Sequence, residues 1–160
     1  MKPIFQLSVM LALALCAGCR SPKGYNIVII PKTTASVEVD LVGAKPSELD
    51  DWKNYGVGKY FQLGDSMRKS ADKFSVTVAG GQASPSELSR TNAHWQTWFG
   101  GGVTHLVILA NLPGDFSNAG LADPRRKEID LTRRFVNKKK KHTVEVEIQD
   151  ARIVIKTPQK

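Results

Sequence analysis

Two cysteines, Cys16 and Cys19, are the only thiols in the 160-residue chain, and they sit three apart in the stretch LALALCAGCRSPKG. A two-residue gap suits a dithiol redox pair or two ligands of a zinc ion. This pair, however, closes an apolar run near the start of the chain, the kind of segment a secretory signal occupies and loses. Other residues with chemical reach are thinly spread. The three histidines, His94, His105 and His142, fall in no HExxH or comparable ligand spacing, so no metal site is expected. There is no GxSxG elbow for a serine nucleophile, and no unmodified thiol is expected to survive processing. The residues therefore point to no catalytic constellation, no cofactor and a chain that is not an enzyme.

Residues 1–18 begin with Lys2 and run apolar from Ile4 to Gly18, with Gln6 and Ser8 as the polar interruptions. That order, positive then apolar then small, is the order of an export signal. About 15 apolar residues fall short of the roughly 20 that a spanning helix needs. Ala17 and Gly18 lead into Cys19, and this resembles the lipobox of bacterial lipoproteins. There the cysteine takes a diacylglycerol thioether, and signal peptidase II makes it the new N-terminus. The family usually carries Leu three residues before that cysteine, where this chain has Cys16; choosing Cys16 itself would put bulky Leu15 at the cut. The resemblance implies lipidation at Cys19, and the alternative is a plain signal with a stray thiol. Arg20, not Asp, follows the cysteine, which under the enterobacterial sorting rule implies an outer-membrane anchor facing the periplasm. The resulting division is a signal peptide at 1–18, a lipidated tether at 19–24 and a single domain at 25–160.

The formal net charge is +8, and only Lys2 of that lies in the signal. Exported chains rarely meet nucleic acid, and no basic stripe interleaved with aromatics is present. An anionic surface or an acidic protein face is the fitting counterpart. The densest charge is RRFVNKKKKH, from Arg133 and Arg134 to Lys138, Lys139, Lys140, Lys141 and His142. Such a run belongs in a solvated turn that keeps a sheet edge from pairing, or it docks electrostatically on an anionic membrane or partner. The stretch LPGDFSNAGLADPRRKEIDL reads as a loop of about 20 residues, a length often tied to function, with Phe116 and Leu121 as exposed contacts.

The elements that must carry these residues are mostly strands. YNIVII ends at Pro31; SVEVDLV alternates Val37, Val39 and Leu41 against Glu38 and Asp40, as a half-buried strand does. KFSVTVA repeats the alternation with Phe74, Val76 and Val78. VTHLVILANL is apolar from Leu106 to Ala110, as in a strand covered on both faces. HTVEVEIQDARIVIK reads as a hairpin turning near Gln149 and Asp150. Two helices are expected. One, in KPSELDDWKNYG, is capped by Ser47 and stopped by Gly56; the other, in ASPSELSRTNAHWQTWFGGG, is capped by Ser84 with Glu87 closing a box, and ended by Gly100 to Gly102. PSEL occurs in both, at Pro46 and Pro85, which hints at a duplication, although shared capping chemistry produces the same four residues.

Six or more short strands with two short helical insertions predict a mainly β protein, an antiparallel β-sandwich. A lipobox followed by SVEVDLV, KYFQLGD, TVEVEI and RIVIK resembles the type VI secretion outer-membrane lipoprotein family. That resemblance implies a transthyretin-like sandwich, and a protein partner in the envelope reached through strand-connecting loops. The expected function is a membrane-anchored, non-catalytic assembly or interaction module. The alternatives are a periplasmic binder of anionic cell-wall or lipid components and a small hydrolase.

Overall fold

The computed structural model describes residues 24–81, 84–117, 119–137 and 141–159. Cys16, Cys19 and Lys138 to Lys140 lie outside them. Eight strands form: β1 (Asn26–Lys32), β2 (Val37–Ala44), β3 (Lys73–Val78), β4 (Ser86–Leu88), β5 (His105–Ala110), β6 (Arg126–Asp130), β7 (Thr143–Gln149) and β8 (Arg152–Ile155). They make two four-stranded sheets, β4-β1-β7-β8 and β3-β2-β5-β6. This is the expected β-sandwich, with one departure from an all-antiparallel arrangement. β1 and β7 run parallel, Asn26 opposite Thr143 through Lys32 opposite Gln149. Both strands enter from the same end, where the Asn26 N–H donates to the His142 carbonyl at 2.8 Å.

The alternating positions meet between the sheets. Ile27, Ile29, Val39, Leu41, Leu106, Ile108, Val144, Val146 and Ile148 pack there with Trp95 and Trp98, each aliphatic contributing about 1.5–3 kcal/mol relative to exposure. A second apolar layer forms on the outer face of the other sheet. Val42 and Ala44 of β2 and Val107 and Leu109 of β5 are covered there by Trp52, Val57 and Tyr60. β5 is thus buried on both faces, as its unbroken apolar run predicts. β2 is too, which corrects its reading as half-buried: Asp40, expected to face solvent, is fully buried.

The cover consists of a 3₁₀ turn (Pro46–Glu48), α1 (Leu49–Asn54), α2 (Val57–Tyr60) and α3 (Ser66–Ser70). The first helical segment lies where expected, but Ser47 does not cap it. The Glu48 carboxylate instead accepts from the Lys45 N–H at 3.0 Å. α2 and α3 add to the two helices anticipated; α3 is capped by Asp65, whose side chain accepts from the Arg68 N–H.

The second expected helix is largely corrected. Ser86–Leu88 is an edge strand antiparallel to β1, and the helix, α4 (Ala93–Gly100), starts only after Asn92, whose side chain accepts from the His94 N–H at 3.0 Å. Leu88 pairs with Ile27 and is wholly buried, so tertiary burial outweighed the local capping pattern. The two PSEL stretches therefore fold differently, one as a 3₁₀ turn and one as a strand, and are not a structural repeat. α4 plugs one end of the sandwich with Trp95 and Trp98, their rings 5.3 Å apart and nearly perpendicular. Only a glycine fits beneath it at Gly43, where a Cβ would lie 2.8 Å from the Trp98 ring.

Candidate functional site

Strand directions sort the loops between two ends. Gly24 and Tyr25, α4 and the β6–β7 connection share one end. The β1–β2, β3–β4, β5–β6 and β7–β8 connections share the other.

At the far end, the segment expected to be one 20-residue loop is shorter and structured. A 3₁₀ turn (Gly120–Ala122) interrupts it, and β6 begins at Arg126. RKEID alternates poorly, and only Ile129 of it is buried, so periodicity missed this strand. Phe116 and Leu121 are brought to one cleft of about 520 Å³, which Tyr55, Gly58 and Arg125 also line. Their exposures differ. Leu121 is 70% exposed, held out by the 3₁₀ turn whose Gly120 takes a positive φ of 51°. Phe116, expected to be exposed, is half-buried beside the core with the Arg125 guanidinium 4.4 Å above its ring.

Two arginines unnoticed in the sequence build this cleft. Arg125 clamps Asp123 through Nε at 3.0 Å and Nη2 at 2.7 Å. Burial alone would raise the Asp123 carboxyl, but the hydrogen bonds and charge of Arg125 outweigh it and bring the pKa below the usual carboxylate value. Arg126 donates to the carbonyls of Trp52 at 3.0 Å and Tyr55 at 2.8 Å, and to those of Gly120 and Leu121 at 3.4 and 3.3 Å. It thus satisfies the open carbonyls at the end of α1 and ties that helix to the turn presenting Leu121. Leu63, in the connection between α2 and α3, is fully exposed as well.

At the near end, Arg133, Arg134 and Lys141 are exposed. Tyr25 lies among them: its hydroxyl donates to the Arg133 carbonyl at 3.4 Å, and its ring meets Phe135 at 5.2 Å and His142 at 6.5 Å. The histidines stay apart. His94 on α4 faces Phe74 and Trp98, His105 opens β5 with Glu128 at 3.8 Å, and His142 turns into β7. Among the described residues, no group of three His, Cys, Asp or Glu side chains is placed to hold a metal. A second cleft, of about 390 Å³, lies between α1, α3 and α4 and is lined by Lys45, Asp51, Trp52, Asp72 and Trp98 among others. It brings together neither the long-loop residues nor the basic run.

A two-sheet sandwich with a helical cover is the architecture these features define, and solved structures share it. One chain of a "Type VI membrane complex" aligns over 83% of this chain and 97% of its own at TM-score 0.52 and 10% identity. Serratia marcescens Lip, a membrane-bound component of the type VI secretion system, aligns over 84% and 97% at TM-score 0.50 and 8% identity. The type VI lipoprotein TssJ1 from Pseudomonas aeruginosa covers 86% of this chain and 98% of its own, at 12% identity and TM-score 0.45. No family model and no curated protein matches the sequence. The fold is thus shared with membrane components of type VI secretion systems, as the pattern of strands implied.

Proposed function

We propose that this chain is an envelope lipoprotein, acylated at Cys19 and held in the outer membrane facing the periplasm, that serves as a non-catalytic interaction module of a type VI-like secretion complex. The observation that carries the reading is the sandwich shared with a chain of a type VI membrane complex, matched over 97% of that chain's length. The lipobox Ala17-Gly18-Cys19 supports the anchor. The cleft at the far end supports a protein contact: Leu121 stands in solvent there on a scaffold rigidified by Arg125 and Arg126, as an interface anchor does.

The test compares wild type, Cys19→Ala and Leu121→Asp in the native host by intact mass, membrane fractionation and in situ cross-linking. Wild type should begin at Cys19 with added acyl chains and sediment with membranes, and Cys19→Ala should lose both properties. Leu121→Asp should stay acylated and membrane-bound while losing its cross-link to the other components of the secretion complex. An unmodified chain in the soluble periplasm would remove the anchor; an undiminished cross-link from Leu121→Asp would remove the far-end contact.

A further inference from the structure

We infer that the near end of the sandwich is a membrane-apposing face: Arg133, Arg134, Lys141 and His142 lie against anionic phospholipid headgroups and fix the orientation of the domain on its tether. The inference rests on the anchor proposed at Cys19. From Cys19 to Gly24 the chain spans at most about 18 Å even when extended, so whatever surrounds Tyr25 is kept near the bilayer. What flanks it are Arg133 and His142: Tyr25 donates to the Arg133 carbonyl, and Asn26 donates to that of His142. His142 holds a left-handed backbone, φ 59°, at this junction.

The two connections differ in charge. From Leu131 to His142 the sequence holds six lysines and arginines and no carboxylate, whereas the far connection from Asn111 to Arg126 balances two aspartates with two arginines. Of the near-end cations, Arg133 is partly engaged, its Nε 3.1 Å from Asp130. An anionic surface attracts the near end and gains nothing from the charge-balanced far connection, so tether and field favour the same orientation. A cation close to such a surface adds about fivefold to the docked population.

The experiment places the protein, purified from its host membrane, in nanodiscs of phosphatidylcholine alone or with about 30% phosphatidylglycerol, and follows amide hydrogen exchange. Slowed exchange from Leu131 to His142 on the anionic discs only, at about 50 mM salt and relieved at about 500 mM, is expected, with residues 113–121 unaffected. Arg133→Gln/Arg134→Gln/Lys141→Gln should cut the docked population on the order of a hundredfold without shifting thermal unfolding. Equal exchange on both discs overturns the inference, as does protection of residues 113–121 instead. Salt-sensitive retention on purified cell wall with no preference for anionic discs would assign the face to another polyanion and also overturn it. If the purified protein carries no acyl chain, the anchor fails by that result alone; the face is then read from co-sedimentation with the same two lipid compositions, and indifference to phosphatidylglycerol there overturns the inference in its own right.

Discussion

Asp40 is the residue where the outer face of β2 departs from an apolar design. Its Oδ2 accepts from the Tyr60 hydroxyl and from Arg68 Nε, each at 2.9 Å, and Arg68 reaches on to Glu38 at 3.0 Å. Burial first, and then the neighbouring Asp40 charge, raise the Tyr60 pKa, so its proton is held for donation. The arrangement joins α2 and α3 to the sheet through one carboxylate. Removing its cation leaves that carboxylate buried and uncompensated, which costs more than the intact pair contributes. Arg68→Met should therefore destabilise by about 3–5 kcal/mol in urea unfolding, and Asp40→Asn added to Arg68→Met should recover part of that loss. If the double variant is no more stable than Arg68→Met alone, the buried charge is not what holds the cover in place.

Capping separates the two accounts of the second helical segment. Asn92 caps α4, whereas Ser84 stands exposed before an edge strand. Asn92→Ala should cost about 1 kcal/mol, while Ser84→Ala should stay within about 0.5 kcal/mol; chemical denaturation of both reads the difference. The same contrast shows what was legible. Alternation located β2, β3 and β7, because a period of two buries one face whatever lies across it, and unbroken apolar or β-branched runs located β1, β5 and β8. Capping motifs misled where tertiary burial intervened, at Leu88, and weak alternation hid β6. The outer layer was unreadable for a related reason: Asp40 on β2 looks as solvent-facing as its neighbour Glu38, which stays exposed, until Tyr60 and Arg68, 20 and 28 residues on, cover it. At the cleft, Leu121 and Phe116 were legible as loop apolars. Arg125 and Arg126 were not, because their role lies in partners such as Trp52 and Tyr55, some 70 residues away.

The two ends of the molecule carry different proposed tasks, and the distance between them makes the tasks separable. β1 spans seven residues, about 23 Å of extended strand, from Tyr25 at the near end to the connections of the far one. Sites that far apart with no shared partner act additively. Neutralising Arg133, Arg134 and Lys141 should then lower membrane apposition without altering the Leu121-dependent cross-link, and Leu121→Asp should do the reverse. Combining the changes should lower both readouts by their separate factors. Such a result would fit a rigid spacer that presents its far cleft to a partner while its basic end rests on the bilayer. A cross-link that falls when only the near end is changed would mean that orientation governs partner capture. Lengthening the tether between Cys19 and Gly24 should then weaken the cross-link as well, because a longer tether dilutes the near-end cations away from the surface. That second measurement distinguishes an oriented spacer from two independent sites on one sandwich.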